Sequence, residues 1–186
     1  MTALVTPDLE TARLRLRSFR DSDADDLFAL QSDAHVLRYW DAPPWTDPLR
    51  AVSFIERCSR IAAESDGVRP AVVDGTDGSF LGWITLNSYD LTFRSASLGF
   101  CFAERTWGRG YATEAAGALL AWAFAALDLN RVQAEADTRN TACRRVLEKL
   151  GFVLEGTLRE DCVVDGVVSD SWVFGLLRRE WVASRS

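Results

Sequence analysis

Glu104-Arg105-Thr106-Trp107-Gly108-Arg109-Gly110-Tyr111-Ala112-Thr113-Glu114-Ala115 is the stretch whose reading decides the fold. Its glycines let backbone N–H groups approach an anion with no Cβ in the way. The apolar run that follows predicts a helix, whose N-terminus carries roughly half a positive charge. A diphosphate suits such a turn. Arg105 and Arg109 add two positive charges there to a chain whose formal net charge is −6. Two glycines ahead of a helix are also common punctuation, and on these residues alone both readings stand. A dinucleotide-binding turn needs Gly-x-Gly-x-x-Gly, but Thr113 occupies the last position, and the Gly-Lys-Ser/Thr of a P-loop is absent.

Outward from this turn the chain alternates between strand and helix patterns. Ala96 to Ala103 reads as the strand that leads in, and Gly110 to Leu127 as the long helix that leads out. The apolar run Ala115 to Leu127 is closed by Glu114 and Asp128 and is shorter than the roughly 20 residues of a membrane span, so a buried helix is expected. Arg131 to Asp137 follows as a strand. Thr141 to Leu150 follows as a helix with Ala142, Val146, Leu147 and Leu150 on one face, stopped by Gly151 as a left-handed C′ residue. Phe152 to Val164 and Val167 to Leu177 flank Asp165-Gly166, a hairpin dipeptide. Upstream, Ala71 to Val73 and Phe80 to Leu86 join the Ala96 strand in a meander. Two helices precede it, one capped by Ser22 or Asp23 and running through Leu27, Phe28 and Leu30, the other over Asp47 to Ser65, with Trp40 to Trp45 as the loop between them. Arg13 to Arg17 alternates with period two and predicts a half-exposed opening strand with Leu14 and Leu16 inward.

With 186 residues, 48% of them hydrophobic, the chain is expected to form one α+β domain over residues 1–186. The acidic balance supplies no broad phosphate-neutralising surface, so nucleic acid is not an expected partner, and neither is a membrane. Cys58, Cys101, Cys143 and Cys162 follow no metal-ligand spacing, and no metal is expected. Met1 to Glu10 shows no basic-then-apolar signal pattern, which makes a reducing cytoplasm the expected compartment.

Arg105-x-x-Gly108-x-Gly110 with Tyr111-Ala112-Thr113-Glu114-Ala115 resembles motif A of the GNAT superfamily of N-acetyltransferases. Asn140-Thr141-Ala142-Cys143 running into Glu148-Lys149-Leu150-Gly151-Phe152 resembles the motif that follows. The opening Glu10 to Arg17, the Pro43-Pro44 loop and the closing Asp170 to Trp181 segment are similar to the RimJ/RimL branch, whose best-known members acetylate N-termini of ribosomal proteins. The resemblance covers nearly the whole chain in the family's order. It implies a mixed, mostly antiparallel central sheet with helices on both faces (the GNAT acyl-CoA N-acyltransferase fold) and acetyl-CoA as the acyl donor. In that fold two central strands part, and pantetheine lies along the upstream one, here ending at Phe100-Cys101-Phe102-Ala103. Gly108, Arg109, Gly110, Tyr111 and Ala112 would hold the diphosphate, with Arg105 beside them. Trp107 and Tyr111 would pack against pantetheine or seal the loop. Asn140 would contact the cofactor, and it also suits capping of the helix after it.

Acetyl transfer needs a neutral amine, a polarised thioester carbonyl and a proton for the departing thiolate. Leu147 occupies the position of the family's tyrosine acid. Cys143, where the branch often has serine, sits near a helix N-terminus that should lower a thiol's pKa, so either an acid role or plain packing is open. Ser97 replaces a glutamate frequent in the branch, which leaves Glu104, Glu135 and Asp137 as candidate bases, Glu104 being nearest the donor loop. His35, the sole histidine, reads as packing or solvent contact. Relatives admit the acceptor between the first two helices and the late hairpin, here with Trp40, Asp41 and Trp45 on one side and Asp165 and Asp170 on the other. Aromatics with carboxylates suit an ammonium-bearing acceptor. A protein N-terminus is the expected acceptor, with a small amine or a non-catalytic acyl-CoA-binding role as alternatives, and a homodimer remains open.

Overall fold

The structure, a computed structural model, describes residues 4–184, so the first residues of the Met1 to Glu10 stretch lie outside it. A short β1 (Leu9–Glu10) precedes β2 (Leu14–Arg17), and Leu14 and Leu16 of that alternating pattern are buried as expected. Arg17 departs from the half-exposed expectation and is itself buried. Its guanidinium leaves water because Asp23 takes it bidentately, at 2.7 and 2.8 Å. Asp23 therefore does not cap the following helix α1 (Ala24–Ser32) through its side chain.

The chain continues through α2 (Leu49–Ala63), β3 (Gly67–Val68), β4 (Ala71–Asp74), β5 (Phe80–Asp90), β6 (Ser95–Phe102), α3 (Tyr111–Ala126), β7 (Arg131–Asp137), α4 (Thr141–Lys149), β8 (Val153–Val164), β9 (Val167–Leu177) and α5 (Arg178–Ala183). Among the described residues these nine strands form one sheet in the order β1-β2-β4-β5-β6-β7-β9-β8, with β3 beside β5. The β4-β5-β6 meander and the β8-β9 hairpin are present where the turn dipeptides place them. The two-residue strands β1 and β3 and the terminal α5 carry too little periodicity to be read from sequence.

Alternation along the strands sorts side chains to two faces. Ala71, Val73, Trp83 and Cys101 pack under α1 and α2 with Leu27, Leu30 and Ile55. Leu16, Val72, Ile84 and Leu98 pack on the other face with Leu119 and Leu120 of α3, Leu147 of α4 and Trp181 of α5. The result is helix, sheet, helix. Fully burying Leu119 or Leu120 contributes about 1.5–3 kcal/mol each, which fixes α3 against the sheet centre and so fixes the turn at its start. Among the described residues no helix is long and apolar enough to cross a membrane.

Candidate active site

β6 and β7 are the sheet's parallel pair, as the α3 crossover between them requires. Their ladder runs only from Ser95↔Arg131 to Ser97↔Gln133 and then stops. A cavity of about 740 Å³ opens at that point, with Leu98, Gly99 and Phe100 on one bank and Glu135, Ala136 and Asp137 on the other. Past the last ladder pair each strand turns an unpaired edge toward the gap, which suits an extended, amide-bearing chain. Of the three strand residues expected at the donor, Phe100 lines the cavity. Cys101 is buried beneath α1 and α2, where burial pushes its thiol up to about 12. Phe102 is buried on the opposite face, and its carbonyl already accepts from Trp107 Nε1 at 2.8 Å.

Beyond β6 a single 3-10 turn, Glu104–Thr106, leads into the glycine turn. Gly108 (φ 74°) and Gly110 (φ 80°) are both left-handed, and Gly110 is the N-cap of α3. A Cβ at Gly108 would meet nothing and one at Gly110 would only touch Arg13, so backbone conformation rather than space demands glycine here. The first-turn amides of α3 have no acceptor within the helix, and they start a positive helix end. Arg109 beside them is exposed. Arg105 is placed differently from expectation: its guanidinium donates to the Phe80 carbonyl, so it ties the turn to β5. Trp107 is bonded to β6 and stacks edge-on with His35 at 5.6 Å, which makes it a seal of the loop.

A latch invisible in the sequence holds this turn from outside. Arg13 donates through Nε to Glu114 Oε2 at 2.7 Å and through Nη1 to the Arg109 carbonyl at 2.9 Å. Thr11 Oγ1 adds a bond to Glu114 Oε1 at 2.6 Å, and the Arg13 guanidinium lies 4.5 Å over the Tyr111 ring. Burial raises the Glu114 carboxyl, but the donors Thr11 and Arg13 outweigh it and hold the group below its ordinary value. Left-handed glycines, free helix-end amides and exposed Arg109 together fit an anionic diphosphate.

Where β7 ends, Asn140 caps α4, its Oδ1 accepting from the Cys143 amide at 3.0 Å, and both residues line the cavity. The expectation of a lowered Cys143 pKa is overturned. Burial pushes the thiol up to about 12, because loss of solvent outweighs the helix end. Handing its proton to an ordinary thiolate would cost about 5 kcal/mol. Leu147 is fully buried below it. Losing a general acid costs about 10²- to 10⁴-fold, whereas Cys143→Ala is expected to change kcat by less than about threefold, as steady-state kinetics with saturating donor would show.

Glu104 is not brought to the cavity. It is exposed and lies 3.2 Å from His35 Nδ1, so a base role there has no geometric support. Asp137 does line the cavity, and Arg139 holds it bidentately at 2.9 and 2.6 Å. That hydrogen bonding keeps its carboxyl below the usual range against the opposing effect of burial. Glu135, exposed, accepts from Gln133 Nε2 at 2.9 Å. Trp40, Asp41 and Trp45, the residues expected on the acceptor side, line the cavity. Asp170 does not: its Oδ1 accepts from the Glu160 amide at 2.8 Å, and its neighbours Ser169 and Ser171 line the cavity instead. Period two along β9 puts Asp170 on the opposite face. Asp165 sits exposed at the hairpin turn with φ 49°. Tyr39, Gln31, Arg57, Arg69 and Trp83 also line the cavity. They come from separate elements and form no sequence motif, though Tyr39 adjoins Trp40.

This parted sheet with a glycine turn at a helix start defines an acyl-CoA-dependent transferase. A family model described as Acetyltransferase (GNAT) domain matches residues 13–153, and the chain belongs to that family: it is an N-acetyltransferase that uses acetyl-CoA. The chain is 32% identical to the uncharacterized N-acetyltransferase p20 of Bacillus licheniformis, over 93% of this chain and 97% of that protein. It is 39% identical to YdaF of Bacillus subtilis, named as a candidate ribosomal N-acetyltransferase, over 56% of this chain and 57% of that one. A crystal structure of a probable acetyltransferase superposes with a TM-score of 0.82 at 31% identity, over 92% of this chain and 96% of that chain.

Proposed function

We propose that the acceptor is an α-amino group, with a protein N-terminus as the substrate. The observation that carries this reading is the state of the carboxylates on the acceptor bank. Asp137 is held ionised by Arg139 and Glu135 lies exposed beside Gln133, so neither is a buried carboxylate without a partner. An amine must then arrive already partly neutral. An α-amino group with a pKa near 8 is neutral to roughly a tenth at pH 7, whereas a lysine near 10.4 needs about 3.4 kcal/mol more. The name carried by YdaF supports a polypeptide acceptor.

In this proposal Gly108 to Ala112 and Arg109 hold the diphosphate, the open β6 edge at Phe100 and the Asn140 side chain hold the pantetheine arm, and Trp40, Asp41 and Trp45 receive the acceptor. Acetyl-CoA supplies the acetyl thioester, and transfer forms an amide, breaks the C–S bond and leaves CoA as a thiolate that takes its proton from solvent. Glu135 lines the parting on the β7 bank and passes to solvent the proton that the already neutral amine sheds as the amide forms. The test is thiol release with a short peptide carrying a free N-terminus, the same peptide Nα-blocked with a free lysine, and spermidine. Since the neutral fractions differ by about two orders of magnitude, kcat/KM for the free N-terminus should exceed that for lysine by at least tenfold. Spermidine or the lysine peptide as the better acceptor would overturn the proposal.

A further inference from the structure

At the end of the cavity away from β7, three hydrogen-bond donors lack partners. Gln31 Nε2, Arg69 Nε and Trp83 Nε1 are buried with no hydrogen-bond partner among the described residues, and all three residues line the cavity. Gln31 is 3% exposed and Trp83 4%. Leaving a buried donor unpaired costs about 1–3 kcal/mol, more for a charged group, so three at one wall ask for an acceptor. Asn87 Oδ1 is the lone unpartnered acceptor among them, farther along β5.

The three donors share one cluster. The Arg69 guanidinium lies 4.9 Å over the Phe54 ring and 5.3 Å over the Trp83 ring, and those two rings are 5.5 Å apart. Trp45 packs on Phe54 at 5.7 Å, and its amide donates to the Gln31 carbonyl, which brings Gln31 to the same wall. Arg69 has no carboxylate partner within ion-pair distance among the described residues, and the Cys58 thiol is its hydrogen-bonded neighbour. Burial pulls its pKa down and nearby Arg57, which also lines the cavity, adds to that pull, while Cys58 and Asp66 oppose it. A half-buried guanidinium on aromatic faces, with no carboxylate at ion-pair distance and its Nε unbonded, is a costly arrangement unless an anion completes it.

Apart from Asp41, in the loop between α1 and α2, charge is sorted across the cavity. Arg57 and Arg69 come from α2 and the turn into β4, on the β4-β5 side of the parting. Glu135, Asp137 and Asp161 come from β7 and β8, on the far side. From this arrangement, and resting on the α-amino reading above, we infer that the acceptor also carries an anionic oxygen group, carboxylate or phosphate. That group is bound by Arg69 with Gln31 and Trp83, while the amine lies toward β7. A plain polyamine has no group for this wall. Arg69, Gln31 and Trp83 are thus specificity determinants for the acceptor.

Three matched pairs of acceptors separate the sources of the anion while keeping the amine the same: alanyl-aspartyl amide against alanyl-asparaginyl amide, alanyl-glycine against its amide, and alanyl-phosphoserine amide against alanyl-serine amide. The wild-type enzyme should prefer at least one anionic member about tenfold or more in kcat/KM, through KM, as expected for a charge-assisted bond. Arg69→Gln should bring that ratio near one, and Trp83→Phe and Gln31→Leu, which spare the guanidinium, should each lower it. The Nα-acetylated products, titrated by tryptophan fluorescence, give a readout independent of turnover and should show the same preference and the same loss. Acetylation of all pairs without preference overturns the anion site and leaves the α-amino reading intact. Product binding that favours the anion, without acetylation of any peptide, does the reverse. Equal binding of both products in wild type also overturns the anion site.

Discussion

Replacing Gly110 by valine should raise the KM for acetyl-CoA about a hundredfold while the protein stays folded. Gly110 is the N-cap of α3 at φ 80°, and a β-branched residue in that conformation costs about 1–2 kcal/mol. The backbone relieves that strain by rotating the turn, which redirects the amides between Gly108 and Ala112. Losing one charge-assisted N–H bond costs about 1.5–3 kcal/mol, and every 1.4 kcal/mol is a factor of ten in affinity. Gly166→Val supplies the control. Gly166 has nearly the same φ, 79°, at the far tip of the β8-β9 hairpin, where an added Cβ meets nothing, as against ordinary contact with the Arg13 guanidinium at Gly110. It bears the same strain without touching the donor turn, so its KM for acetyl-CoA should match wild type. Calorimetric titration with CoA reads the effect directly, and a change below about threefold for Gly110→Val would remove the turn from the donor site.

The second large effect is on stability, and it lies at a pair that no motif announces. Asp23→Ala should destabilise the fold by about 3–5 kcal/mol, because it leaves a guanidinium buried without its partner. Arg17 and Asp23 have side chains only 9% and 6% exposed, and the Arg20 amide also donates to Asp23 at 2.8 Å. For a chain of this size the midpoint of thermal unfolding should fall by about 10 °C. The pair Arg17→Met with Asp23→Leu should lose much less, since nothing charged is then stranded. The pH dependence has a definite sign. Burial raises the Asp23 carboxyl, but hydrogen bonds from Arg17 and Arg20 outweigh it and leave the folded value below the ordinary 3.8. Its contribution is therefore fully present above that ordinary value and is lost as pH falls through the folded one. Urea unfolding of wild type and Asp23→Ala should show a gap that is constant from about pH 5 to 7 and narrows below about pH 4.

How far such features can be read in advance depends on how far apart their causes lie in the chain. The glycine turn was legible because Gly108, Gly110 and the apolar run after them act within one turn of backbone. The Asp165-Gly166 hairpin and the Gly151 helix stop were legible for the same reason, and both glycines take left-handed φ. The latch on that same turn was not legible. Arg13 and Glu114 are 101 positions apart, and nothing local to either residue distinguishes a partner from a solvated charge. Cys143 shows a different limit. Its place near a helix N-terminus suggests an acidified thiol, but burial comes from neighbours distant in sequence and it pushes the thiol up to about 12.

The cavity lining divides the same way. Trp40, Asp41 and Trp45 were found because an aromatic loop after a helix is conspicuous, whereas Asp170 was placed one residue off the face that lines the cavity. Gln31, Arg69 and Trp83 look unremarkable apart and become a donor wall only when α1, the turn into β4 and β5 are brought together. By itself the sequence determined the order of elements, the conformation of the turns and, through the resemblance they carry, the acyl donor, since backbone dihedrals and alternation act over a few residues. Tertiary structure alone decided where the β6-β7 ladder ends, which charges are paired and which donors are left buried without a partner, because desolvation and ion pairing depend on groups that only the folded sheet makes neighbours.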